Sequence, residues 1–213
     1  MAIAALSLTC VASSAPLRAQ DTAPTVVYTA SGTFATPQIS GDDLYKLAGE
    51  PFSIVVIASS STVPHAHGAT WADYTGLKLK GTVHSGLDPS GVPMTSSYTF
   101  LALALGNPSY DVMQIQAPVI VIKEKITISA NIQMPTGTIT KFLIHPFTAP
   151  ATLSPANATV TYTNGTDSTT LAIQSGTVNA AYYTHKSTDA AANVFDRALG
   201  VDESHAVSLR VAN

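Results

Sequence analysis

Two histidines separated by one residue, His65 and His67, form the only pattern in this chain that resembles a metal site. On a strand, residues two apart point to the same side, so both imidazoles could bind one cation. His84, on the following predicted strand, or Asp73 would supply a third ligand. In the competing interpretation both histidines are exposed in a loop, because a proline and a glycine flank the motif. The pattern leaves a divalent metal site, and with it a metalloenzyme, as one hypothesis.

A second candidate site follows in the segment ATWADYTG. Trp71 and Tyr74 would stack on a sugar ring while Asp73 accepts hydrogen bonds from sugar hydroxyls. In the competing interpretation Trp71 fills the core or closes one end of the fold. The segment therefore predicts a ligand-binding surface for glycans as an alternative function.

Residues suited to catalysis are scarce. The chain has no Gly-x-Ser-x-Gly nucleophile motif. Its three glutamates, Glu50, Glu124 and Glu203, give little support to a pair of catalytic carboxylates. We therefore predict no catalytic residue and no enzymatic activity. Asn157 and Asn164 each begin an Asn-x-Thr tripeptide and are candidate N-glycosylation sites.

Alternating apolar and polar residues between positions 25 and 180 predict the strands that would position these side chains. The clearest case is residues 159–177, where two alternating segments flank Asn164-Gly165. Asn-Gly favours a type I′ turn, because both central residues of that turn need positive φ. We therefore predict a β-hairpin at this dipeptide.

Turn residues recur between the predicted strands at the spacing typical of a sandwich. We predict an all-β fold, an antiparallel two-sheet β-sandwich that is Ig-like or jelly-roll-like, with about 8–10 strands. The sandwich domain would span residues 20–185. It would include a short helical turn over residues 41–48 and a strand over residues 142–147.

The composition favours an exported protein. Charged residues make up 11% of the chain, against roughly a quarter in ordinary domains. Serine and threonine together account for 48 of the 213 residues. The net charge of −3 and the lack of a basic stripe argue against a nucleic-acid partner. No apolar run is long enough to predict a membrane span.

Both ends of the chain differ from its middle. Residues 1–19 are similar to a signal peptide, with an apolar run followed by small residues, and they predict secretion. The single cysteine, Cys10, lies in this leader, so the mature chain would contain no disulfide. Residues 186–213 are richer in charge and predict a C-terminal extension made of a short helix and a strand.

Several phrases resemble a group of exported proteins from environmental bacteria of the acidobacterial type. They are VVYTASGTFATPQISGDD, KLAGEPFSIVV, GTVHSGL and ATVTYTNGTDSTTLAIQSGT, between residues 25 and 177. The group has no established activity. The resemblance therefore implies a secreted β-sandwich and implies no mechanism.

The leading functional hypothesis is a secreted structural or interaction protein that self-associates, as an extracellular filament or matrix subunit. Few charged side chains guard the predicted strand edges against pairing with other chains. A mobile N-terminal segment over residues 20–29 or a C-terminal strand over residues 205–211 would add to a neighbour's sheet, so the predicted partner is a second copy of the chain. Glycan binding at Trp71, Asp73 and Tyr74 is the first alternative, and metal binding at His65, His67 and His84 is the second.

Overall fold

The computed structural model describes residues 23–106 and 109–183, and all regular structure in these ranges is β. The described residues form ten strands: β1 (Thr25–Phe34), β2 (Pro51–Ser59), β3 (Ala66–His67), β4 (Trp71–Ser85), β5 (Asp88–Ala104), β6 (Tyr110–Val121), β7 (Glu124–Pro135), β8 (Ala151–Leu153), β9 (Ala158–Asn164) and β10 (Asp167–Tyr182).

Eight of these strands form a closed antiparallel barrel. Neighbours follow the chain in the order β1, β2, β4, β5, β6, β7, β9, β10, and β10 then pairs with β1. The short strands β3 and β8 add to β4 and β10. The predicted two-sheet sandwich, Ig-like or jelly-roll-like, is therefore wrong, although the all-β class is confirmed. The reason is that each long strand pairs with its sequence neighbour and the first strand meets the last.

Closure depends on a close approach of β1 and β10 at a pair of glycines. Gly32 and Gly176 lie opposite each other in the register. A Cβ atom on Gly176 would lie 2.2 Å from the backbone oxygen of Ser31, and one on Gly32 would lie 2.3 Å from that of Ser175. Any larger residue would force the two strands apart here.

The predicted hairpin between β9 and β10 is confirmed, but its turn differs from the predicted type. Asn164 pairs with Asp167, so Gly165 and Thr166 are the central residues. Gly165 has φ of 61°, whereas Thr166 is not among the residues with positive φ. One positive φ at the first central position indicates a type II′ turn, which requires glycine there. Asn164 therefore ends the strand instead of occupying the turn.

Alternate side chains of each strand fill the barrel. Phe52, Ile54 and Val56 point inward together, as their spacing predicts. One hydroxyl in this core has no hydrogen-bond partner among the described residues: Thr99 is fully buried, and its Oγ1 is unpaired. Thr99 lies where the pairing of β4 with β5 shifts register.

The two predicted terminal features, the leader over residues 1–19 and the helix–strand extension over residues 186–213, lie outside the described residues. In the part that the structure describes, no helix has the length and apolar character needed to cross a lipid bilayer.

Candidate functional site

One end of the barrel, here called the upper end, is closed by residues 42–48 between β1 and β2. Tyr45 and Leu47 are buried there against the core. The Tyr45 hydroxyl donates to Glu124 Oε2 at 2.5 Å, and Asn164 Nδ2 donates to both oxygens at 3.0 and 2.7 Å. These bonds join the segment to the start of β7 and the end of β9.

The predicted helical turn over residues 41–48 is wrong, because Asp43 organises this segment in a different way. Its carboxylate accepts hydrogen bonds from the backbone nitrogens of Leu47 at 3.0 Å and Ala48 at 2.8 Å. It also accepts one from the Tyr162 hydroxyl at 2.9 Å. Side-chain bonds to backbone donors offer an alternative to a helical ladder, and they hold the segment as a compact turn.

Burial raises the pKa of Tyr45 from 10.0 to about 12, with a further contribution from its bond to Glu124, and burial raises the pKa of Tyr162 to about 12. A folded-state pKa above the unfolded value means that the neutral phenol stabilises the fold fully below pH 10.0. We expect that stability to be lost progressively as pH rises through about 12. During alkaline titration, the change in circular dichroism should coincide with the part of the phenolate absorbance that Tyr45→Phe removes.

The Tyr45→Phe variant should lose less stability than the wild-type protein over this alkaline range, because it lacks one of the titrating phenols. Tyr98→Phe is the control, since Tyr98 is exposed on the barrel wall. Phenolate forming at Tyr45 well before unfolding would contradict the burial of this hydroxyl in the upper end.

The opposite, lower end is closed by residues 136–150. Its segment 142–147, predicted to be a strand, is instead irregular, so that prediction is wrong. The Tyr74 hydroxyl donates to the Phe142 carbonyl at 3.1 Å, and the Tyr28 hydroxyl accepts from the His145 nitrogen at 3.3 Å. Tyrosines inside the barrel thus replace part of the backbone pairing that a ladder would provide.

A buried carboxylate also anchors the lower end. Asp111 is 1% exposed, and its two oxygens accept hydrogen bonds from the backbone nitrogens of Gly106 and Ile139, both at 2.9 Å. Bonds to a charged acceptor are stronger than neutral ones. Asp111 therefore ties the closing segment to the connection between β5 and β6.

The core of the barrel leaves little free space around Phe34 and Phe52. Its apolar cavity has a volume of about 20 Å³ and is lined by residues including Phe34, Phe52, Met94 and Val121. Because its lining is apolar, the cavity offers a water molecule no hydrogen-bond partner. Chain segments cover both ends of the described barrel, and the depressions described below lie on its outer surface.

The three predicted metal ligands do not come together. His65 Nδ1 lies 3.3 Å from Asp73 Oδ1, and the His67 ring stacks on Phe142 with centroids 6.4 Å apart. His84 lies near the other end of β4, about 40 Å along the strand from Ala72, the partner of His67. No group of three or more metal-ligating side chains occurs within residues 23–106 and 109–183.

The predicted sugar-binding residues divide between the two faces of β4. Tyr74 is fully buried in the barrel and bonded to the lower end. Trp71 and Asp73 point outward, and the Trp71 side chain is 43% exposed. A Cβ on Gly68 would lie 2.3 Å from Trp71 Nε1, so the indole lies directly against the backbone of this glycine. The Trp71 side chain is therefore held in place by its contact with Gly68 and still exposes part of its surface.

Neighbouring strands complete a depression beside Trp71 and Asp73. Trp71 pairs with Ala104, and Ala104 pairs with Val112; Asp73 pairs with Ala102, and Ala102 pairs with Gln114. Residues directly opposite in an antiparallel pair share a face. Ala102, Ala104, Val112 and Gln114 line a depression of about 160 Å³. We call these four residues, with Trp71 and Asp73, the alanine groove.

The part of this groove that β5 and β6 contribute was not predicted from the sequence. A usable signal was present, because small residues at the outward positions of adjacent strands leave room on a sheet surface. Ala102 and Ala104 stand two apart in a strand whose intervening residue, Leu103, is buried. Only the register, however, places Gln114 across from Asp73 and beside the alanines.

Both candidate glycosylation sites use their side-chain amides in hydrogen bonds. Asn157 Nδ2 donates to the Thr152 carbonyl at 2.9 Å, and its Oδ1 accepts from the Ser154 nitrogen at 2.7 Å. Asn164 Nδ2 belongs to the network of the upper end. A glycan on Asn164 Nδ2 would have to displace one of its two bonds, whereas Asn157 Nδ2 donates one hydrogen bond and keeps a second hydrogen.

Comparisons with known proteins return no relative. No family model matches the chain, no curated protein matches it, and no solved structure matches it. The resemblance to exported acidobacterial proteins thus stays a prediction, and the function has to be argued from the barrel itself.

Proposed function

We propose that the protein is an exported, non-enzymatic binding protein that recognises a glycan at the alanine groove. The observation that carries this proposal is the exposed Trp71 indole, seated on Gly68 beside a depression with a floor of alanines. Export is supported by the sequence of residues 1–19.

The groove offers the chemistry that a sugar requires. An indole provides a flat apolar surface for the C–H face of a pyranose ring. Asp73 Oδ1 accepts a hydrogen bond from the Ala66 nitrogen at 2.8 Å, which fixes the carboxylate. Its Oδ2 makes no hydrogen bond to another described residue and would accept from a sugar hydroxyl. Gln114, exposed across the groove, adds both a donor and an acceptor.

A screen of the purified protein on a glycan array, followed by calorimetric titration of the best ligand, tests the proposal. We expect selective binding of a small set of oligosaccharides with one site per chain. A complete absence of binding across neutral and acidic glycans would contradict the proposed function.

Self-association through strand edges is a second candidate, and the closed barrel changes its basis. Closure pairs β1 with β10 as well as with β2, so residues 26–29 of the predicted N-terminal segment are occupied on both sides, whereas residues 205–211 lie outside the described residues. One part of β5 still favours self-association. Its residues from Asp88 to Thr99 have ladder partners only in β4. A strand that is paired on one side can accept another chain. Pro93 lies in this stretch and removes one donor.

Light scattering across a wide range of protein concentrations tests this second candidate. We expect an oligomer that Thr95→Lys weakens, because a lysine on an edge opposes pairing with another strand. Thr152→Lys, on the short edge strand β8, is the matched control and should leave the oligomer intact. A monomer at every concentration would rule out association by this route.

A further inference from the structure

A second depression lies farther up the same wall, on the outer side of the β4–β5 hairpin. It has a volume of about 240 Å³ and is lined by Lys78, Leu79, Lys80, Thr95, Ser96 and Ser97. We call it the lysine depression. The register shifts here: Leu79 pairs with Ser96 and Leu77 pairs with Thr99, so β5 has one more residue than β4 between these two pairs. Such a bulge bends the strand and redirects its side chains, and the recess lies at this bulge.

The two lysines of this depression have no ion-pair partner among the described residues. Lys78 and Lys80 stand two apart on β4, so they share its outer face, about 7 Å apart along the strand. Among the described residues, the only ion pair joins His65 to Asp73, so neither lysine contacts a carboxylate there. The chain carries a net charge of −3. Two adjacent unpaired ammonium groups beside serine and threonine hydroxyls are suited to an anionic group.

An exposed aromatic ring lies next to these groups. Tyr98 is 79% exposed, and its backbone nitrogen donates to Ser96 Oγ at 3.2 Å within the bulge. The bulge therefore presents a tyrosine ring to solvent directly beside the lysine depression. Tyrosine combines an apolar ring with a hydroxyl, so it can contact a sugar in the same way as Trp71.

The lysine depression and the alanine groove lie on one continuous surface. Trp71 and Lys78 belong to the same strand and are separated by about 20 Å along it. A single sugar cannot cover that distance, whereas an oligosaccharide can. Asp73 would repel an anionic group at the groove end, so negative groups fit only the end with the lysines.

We propose that the ligand is an acidic glycan, whose chain lies along the outer wall of β4 and β5. A neutral sugar stacks on Trp71, and carboxylate or sulfate groups farther along the chain bind Lys78 and Lys80. This inference rests on the proposed glycan-binding function and specifies its ligand class. Charge complementarity selects the acidic chain, while the aromatic side chains hold its sugar rings.

Calorimetric titration with three oligosaccharides of equal length tests the inference: one neutral, one uronate-containing and one sulfated. We expect the wild-type protein to prefer an acidic ligand by about tenfold or more at low salt, and to lose that preference as salt is added. Comparing the uronate-containing ligand with the sulfated one shows whether carboxylate or sulfate groups bind the lysines more tightly. The double variant Lys78→Gln/Lys80→Gln should bind acidic and neutral ligands equally. Lys125→Gln/Lys141→Gln, which removes the same charge from exposed lysines elsewhere, should retain the preference.

Equal binding of the neutral and acidic ligands by the wild-type protein would overturn the inference and leave the proposed function standing. Failure of all three ligands, together with an empty glycan array, would remove the proposed function itself. If Trp71→Ala binds the acidic ligand as tightly as the wild-type protein does, one glycan chain does not span the two depressions, and the inference is wrong.

Discussion

Trp71→Ala should weaken glycan binding by about 30-fold or more while leaving the barrel folded. A loss of about 2 kcal/mol is typical when a central aromatic side chain is removed from a binding site. Trp71 supplies the only large apolar surface of the alanine groove, so its removal leaves a ligand only the polar contacts of Asp73 and Gln114. Because the side chain is 43% exposed and packs on Gly68 rather than in the core, stability should change little.

Calorimetric titration of the best array ligand measures this effect, and circular dichroism checks the fold. Tyr182→Ala is the matched control, since Tyr182 is 45% exposed and lies in β10, on the opposite side of the barrel. Gly68→Ala is a second variant, in which the added Cβ would displace the indole from its seat and weaken binding in part. Unchanged affinity in Trp71→Ala would show that the ligand binds elsewhere.

Gly176→Ala should lower the free energy of unfolding by about 3 kcal/mol or more, because it adds a single methyl group at the closure of the barrel. That methyl would lie 2.2 Å from the Ser31 oxygen and 2.9 Å from the Gly32 Cα, both backbone atoms. The backbone has no rotamer to adopt, so β1 and β10 must separate. Separation breaks ladder hydrogen bonds in the pairing that closes the sheet.

Urea unfolding followed by the fluorescence of Trp71, the only tryptophan, measures this loss of stability. Ser175→Ala is the control on the neighbouring, exposed position of β10 and should change stability by less than about 0.5 kcal/mol. Gly32→Ala should repeat the effect of Gly176→Ala from the other strand. A Gly176→Ala protein as stable as the Ser175→Ala control would contradict the close approach of these strands.

Local patterns predicted the individual strands well. Phe52, Ile54 and Val56 alternate with residues of the other face, and all three point into the core. The strand pair around Asn164-Gly165 is present because alternation and a turn residue act over only a few positions. The turn type was wrong, since one residue of register decides whether Asn164 or Gly165 is the first central residue.

Longer-range features escaped prediction. An inward face of apolar residues is needed in a sandwich and in a barrel alike, so alternation cannot distinguish the two. Phe142 and Ile144 are apolar like the residues of a strand, but they cover the lower end because Tyr74 and Tyr28 supply hydrogen bonds from inside the barrel. The predicted sugar-binding residues also fail to share one face of β4. Tyr74 follows Asp73 directly, and neighbouring residues of a strand point to opposite faces.

The amino-acid sequence alone determined that the chain is built from strands with one apolar face, because that depends on the order of neighbouring residues. The tertiary structure decided that these strands close into a barrel, since closure depends on how β1 meets β10, about 150 residues apart in the chain. It also decided where a ligand can bind: Trp71 of β4, Ala102 of β5 and Gln114 of β6 become one groove only through the register between strands.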